Sequence, residues 1–60
     1  MFMVKRNKAL QWRNKQLYAE YLVHLRNNVP VMDIYAILAR NYDIDSDYVR
    51  QIVREQALKH

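Results

Sequence analysis

The apolar positions fall into three helical stretches. Across residues 8–27, Leu10, Leu17, Tyr18, Tyr21, Leu22 and Leu25 share one sector at 100° per residue, while Arg13, Lys15, Glu20 and Arg26 lie outside it. Asn27-Asn28 follows, and asparagine takes the left-handed conformation that closes a helix more readily than most residues. Val29-Pro30 then stops the pattern, because proline cannot continue a helix and biases its predecessor towards extended geometry. A second, shorter helix is predicted over 31–41, with Ile34, Ile37, Leu38 and Asn41 on one face and Val31 joining from the first turn. Pro30 suits its start and Asp33 complements its dipole. A third is predicted over 45–58, capped by Asp45 or Ser46 and carrying Asp47 in its first turn. Val49, Ile52, Val53 and Gln56 line one side of it; Asp47, Arg50, Gln51 and Arg54 line the other. Helices this short need one another's apolar stripes. The expectation is an all-α three-helix domain over residues 8–60, preceded by a basic N-terminal arm over residues 1–7.

Composition narrows the function classes. The chain has 60 residues, no glycine and no cysteine. One domain at most fits that length. Without glycine there is no phosphate-cradling loop, and tight primed β-hairpins lose their usual residue. Without cysteine, disulfides, zinc knuckles and thiol chemistry are excluded. No apolar run approaches the roughly 18 residues of a membrane span, and no signal peptide is visible, so a cytoplasmic protein without a membrane partner is expected. No nucleophile–base–acid set is discernible, which argues against an enzyme and against a small-molecule substrate or cofactor. His24 lies one turn after Glu20, a spacing that can hold a metal, but two ligands do not make a site.

Charge then changes the picture. The net charge is +4, and it is segregated. Residues 1–16 carry Lys5, Arg6, Lys8, Arg13 and Lys15 with no acid. Residues 17–49 set Arg26 and Arg40 against Glu20, Asp33, Asp43, Asp45 and Asp47. Residues 50–60 turn basic again through Arg50, Arg54 and Lys59 against Glu55. Positive potential at both ends of the chain suits a phosphate-bearing partner.

The junction between the second and third helices is the most specific feature. Leu38-Ala39, Tyr42, Asp43, Ile44, Val49 and Ile52 follow an ordered spacing: an apolar–Ala pair, an apolar residue three positions on, a turn residue, an apolar plug, then apolar residues five and eight positions later. This segment, residues 38–52, resembles the helix-turn-helix motif of bacterial and phage DNA-binding regulators. Its small Ala39 would sit where the helices cross closely. Ile44 would plug the space between them, with Val49 and Ile52 pressing the third helix down. The departure is Asp43, where the family usually has glycine; aspartate tolerates left-handed backbone better than most residues.

The resemblance implies that the third helix enters the DNA major groove with its outward side chains at base edges. On this chain those are Ser46, Asp47, Arg50, Gln51 and Arg54. Arginine can fork onto guanine and glutamine onto adenine, so Arg50 and Gln51 are the base-reading candidates, with Arg54 at a phosphate. Ser46 can donate to phosphate at the helix N-terminus, and Asp47 either caps the helix or accepts from cytosine. Lys5, Arg6 and Lys8 would contact the backbone or minor groove from the arm. The expected function is sequence-specific double-stranded DNA binding by a small transcriptional regulator, acting as a dimer on two half-sites.

A second stripe points elsewhere. Trp12, Gln16, Ala19 and Val23 follow 4-3-4 spacing on the back of the first helix, roughly opposite its apolar sector, as a seam for a partner or a second copy. This seam and the acidic turn favour the alternative, a helical protein-interaction module such as an adaptor, inhibitor or assembly factor. Fold alone does not separate the two. The five tyrosines sit at or beside the apolar sectors and read as packing residues with the hydroxyl at the rim.

Overall fold

The structure is a computed structural model that describes the backbone of residues 2–59 and the side chains of residues 10–59. Three helices follow one another: α1 (Phe2–Arg26), α2 (Val31–Tyr42) and α3 (Ser46–Lys59). Each contacts the other two, which makes an all-α three-helix domain. The bounds of α2 and α3 lie within a residue of those the periodicity predicts. α1 instead starts six residues earlier than expected. Nothing in its sequence stops it, since neither glycine nor proline occurs before Pro30 and lysine, arginine, alanine, leucine and glutamine all favour helix.

Both helix ends use the same left-handed device. Asn28 has φ 65° and Asp43 has φ 56°. After α1, the Asn28 N–H donates to the Leu25 carbonyl and the Val29 N–H to that of His24, each at 3.1 Å. After α2, the Asp43 N–H donates to Arg40 at 3.4 Å and the Ile44 N–H to Ala39 at 3.0 Å. These paired bonds form Schellman closures, which satisfy carbonyls that a helix end leaves open. Pro30 precedes α2 in extended geometry, and its carbonyl accepts the first helical bond from Ile34.

The core consists of Leu17 from α1, Ile34 and Leu38 from α2, and Val49, Ile52 and Val53 from α3. Tyr18, Tyr21, Val29, Tyr35, Ala39, Tyr42 and Ile44 pack around it half-buried. Three rings form a ladder from α1 to α2: Tyr18 stacks on Tyr21 and Tyr21 on Tyr35, with centroids 6.1 Å apart in both cases.

Several expectations for α1 and α2 need correction. Leu10, Leu22 and Leu25 are exposed (40, 39 and 42%) rather than buried, and Val31 is exposed at the start of α2. Arg13 and Glu20, placed outside the apolar sector, are half-buried. The inward face of α1 is centred on Leu17, with Asn14, Tyr21 and His24 beside it. It is rotated from the sector that the leucines define. No described helix is long and apolar enough to cross a membrane.

Candidate nucleic-acid interface

The site is built from the turn outward. Residues 43–45 connect α2 to α3, and the left-handed Asp43 (φ 56°, ψ 48°) reverses the chain within them. The Asp45 carbonyl accepts from the Val49 N–H at 3.0 Å, so Asp45 holds the N-cap position of α3. Ile44 packs half-buried against the core between the two helices, and Ala39 does so one turn before the end of α2. These contacts fix which side of α3 faces inward.

That side is the predicted one. Val49, Ile52, Val53 and Gln56 are all buried, leaving Ser46, Asp47, Arg50, Gln51 and Arg54 exposed on the remainder of the helix. Asp47, Arg50, Gln51 and Arg54 line one shallow groove, as their i, i+3, i+4, i+7 spacing requires. Arg50 and Arg54 also border a second groove, shared with Val53, Ala57 and Tyr35 of α2. Arg50 and Arg54 therefore border both depressions. The N-terminal end of α3 is acidic, through Asp45 and Asp47, and complements its dipole. The positive charge lies one and two turns further on.

Two polar bridges absent from the local patterns hold α1 to this unit. Arg13 Nη2 donates to the Tyr48 hydroxyl at 3.0 Å, and its guanidinium lies 5.3 Å from the Tyr48 ring centroid. Nε and Nη2 also donate to Asn14 Oδ1. The Tyr42 hydroxyl donates to Glu20 Oε2. Burial, reinforced by the Glu20 carboxylate, pushes the Tyr42 phenol up to about 12. Burial also raises the Tyr21 phenol, with Tyr35 and Tyr18 adding to the effect. Residues 13 and 48 are 35 apart in sequence, and residues 20 and 42 are 22 apart, so no periodicity argument could pair them.

The other predicted residues fall into two sets. The side chains of Lys5, Arg6 and Lys8 lie outside the described residues. Trp12, Gln16, Ala19 and Val23 are exposed on α1, on the side away from Leu17 at 100° per residue. Among the described residues no three His, Asp or Glu side chains converge in a way that could hold a metal ion.

No family model matches the chain, and neither a curated protein nor a solved structure is found similar to it.

Proposed function

We propose that the α2–turn–α3 unit works as a helix-turn-helix and that the chain is a small transcriptional regulator binding double-stranded DNA by sequence, with α3 in the major groove. It acts by binding, without catalysis or cofactor, in the cytoplasm. The observation that carries this reading is the uncovered ridge of Arg50, Gln51 and Arg54, standing opposite the buried Val49, Ile52, Val53 and Gln56. A helix whose one face is clamped by two others and whose other face bears a forked cation and an amide suits direct readout.

The roles follow from reach and charge. Arg50 forks onto guanine, and Gln51, beside it, pairs with adenine. Arg54, a turn further along, neutralises a phosphate. Asp47 stays at the helix N-terminus or accepts from a cytosine amine, and Ser46 donates to a phosphate there. Lys5, Arg6 and Lys8 add non-specific attraction. A reader of this size covers little DNA, which favours two chains on two half-sites about one helical turn apart.

The test is a gel shift against random and genomic duplexes across a salt series. Binding should fall steeply as salt rises, because phosphate contacts release counterions. Arg50→Ala and Gln51→Ala should each cost about 1–3 kcal/mol on the preferred site and relax specificity, whereas Arg54→Ala should weaken all duplexes evenly. If both base-edge variants bind every duplex as tightly as the parent, readout by this face is wrong.

A second reading, a protein-interaction module, is favoured by Trp12, which is 70% exposed, and Met32, 75% exposed. Absence of any duplex retention at low salt would favour it.

A further inference from the structure

The ridge on α3 leaves one described surface without a role. Trp12, Gln16, Ala19 and Val23 form a row along α1, all of them exposed, with Val23 at 53%. Their spacing places them along one coiled-coil seam, where two kinds of core position alternate: Trp12 and Ala19 are of one kind, Gln16 and Val23 of the other. α1 runs for 25 residues against 12 and 14 for α2 and α3. Between residues 13 and 24 its inward side, through Leu17, Tyr18 and Tyr21, packs on α2 and α3, so the row lies on the side of α1 turned away from its own core.

We propose that this face pairs with the same face of a second copy, antiparallel, about a two-fold axis passing between Leu17 and Tyr18. The pairs 12/23 and 16/19 share that midpoint. Trp12 therefore lies across from Val23 of the second copy, and Gln16 across from Ala19 of the second copy. The symmetry makes each contact twice. The indole covers a branched side chain, and the long amide lies over the smallest residue of the row, so the two backbones approach evenly. Charge selects the orientation. A parallel pair would set Arg26, the next residue of the row, against its own copy and Gln16 against Gln16. The antiparallel pair relieves both. It also brings Arg13 towards Glu20 of the second copy on one edge, where Arg13 still has Nη1 to donate, and lays Lys15 beside Leu22 of the second copy on the other.

The proposed function sets only the number of chains; the interface is argued from α1, and its test needs no DNA. A failure here therefore leaves the role of α3 standing. In sedimentation equilibrium the full chain should rise from its 7.4 kDa mass towards twice that value with concentration. Trp12→Glu and Val23→Glu should each return it to the single-chain mass with helical circular dichroism retained. A chain that stays single at every concentration overturns the proposal, as does a dimer that survives both substitutions. Orientation is read by cross-linking, for which the cysteine-free chain is a clean background. Mixed under mild oxidation, Gln16→Cys and Ala19→Cys chains should yield the mixed disulfide in excess over either like pair. An excess of the Gln16→Cys like pair overturns the antiparallel register. Should the glutamate variants lose helicity, the cysteine pair decides the question alone.

Discussion

α3 and α1 obey the same packing physics and yet read very differently. In α3 Val49, Ile52, Val53 and Gln56 occupy one buried side and Asp47, Arg50, Gln51 and Arg54 the exposed one, with Tyr48 and, in the last turn, Ala57 and Leu58 as the apolar residues left outside the core. In α1 the apolar residues run round much of the circumference. Leu17 alone among its described residues is fully buried, while Leu10, Trp12, Leu22, Val23 and Leu25 remain exposed. Length explains part of this. At 1.5 Å per residue α1 spans roughly 37 Å, against about 18 and 21 Å for α2 and α3, so the two shorter helices cannot cover it end to end. A polar face tells a helix which way to turn; a helix apolar on several sides is oriented by its neighbours. Here the neighbours choose Leu17, and they recruit Arg13 and Glu20 through Tyr48 and Tyr42.

The sharpest way to break this contrast is to cut equal leucines from the two environments. Leu17→Ala removes a side chain with no exposed surface and should cost about 2–5 kcal/mol, including the cavity it leaves. In so small a domain that loss is enough to populate the unfolded chain. Leu22→Ala, cut from a partly exposed position, should cost about 1 kcal/mol or less. Urea titration at low protein concentration measures both. Equal losses would mean that Leu22 contributes to the core as fully as Leu17 does, and the account of α1 would be wrong.

Much of this was legible in the residue pattern. Asn27-Asn28 and Asp43 announce helix ends because, in a chain without glycine, these are the residues that tolerate left-handed backbone. Val49, Ile52, Val53 and Gln56 announce the inward side of α3 because Asp47, Arg50, Gln51 and Arg54 exclude every other choice, and the same split gives the candidate ridge. The early start of α1 was hidden because basic residues there look like an arm, although they are also good helix formers. The Arg13–Tyr48 and Glu20–Tyr42 bridges were hidden for a different reason: they join distant residues, whose meeting depends on how the finished helices pack.

The turn is the next place to press, since it determines how α3 is presented. Asp43 holds a conformation that costs a residue with a Cβ roughly 1–2 kcal/mol, least for aspartate and asparagine. Asp43→Val should therefore destabilise by about that amount, because a branched side chain crowds the following carbonyl. Asp43→Gly should hold or raise the melting temperature and leave the helical content unchanged. A valine variant as stable as the parent would show that the chain does not need left-handed backbone between α2 and α3.

The smallest effect concerns the bridge from α1 to the last residue of α2. Tyr42→Phe keeps the packed ring and removes the hydroxyl that donates to Glu20, at a cost of roughly 0.5–1.5 kcal/mol. Its pH signature is more diagnostic than its size. The phenol titrates at about 12 in the folded chain, against an ordinary value of 10.0, so folding favours the protonated form. The stabilisation is complete below about pH 10 and is lost as pH rises through 12, where the unfolded chain releases its proton more readily. Thermal melts across that range should fall for the parent and fall less for Tyr42→Phe, the remaining slope including the raised Tyr21. Glu20→Gln should lower the Tyr42 pKa, because the neutral amide no longer opposes a phenolate, but only part of the way, since burial is the larger cause. Ultraviolet titration of the phenols reads that change directly. A Tyr42 that titrates unchanged in Glu20→Gln would remove the carboxylate from the account and leave burial alone to explain the shift.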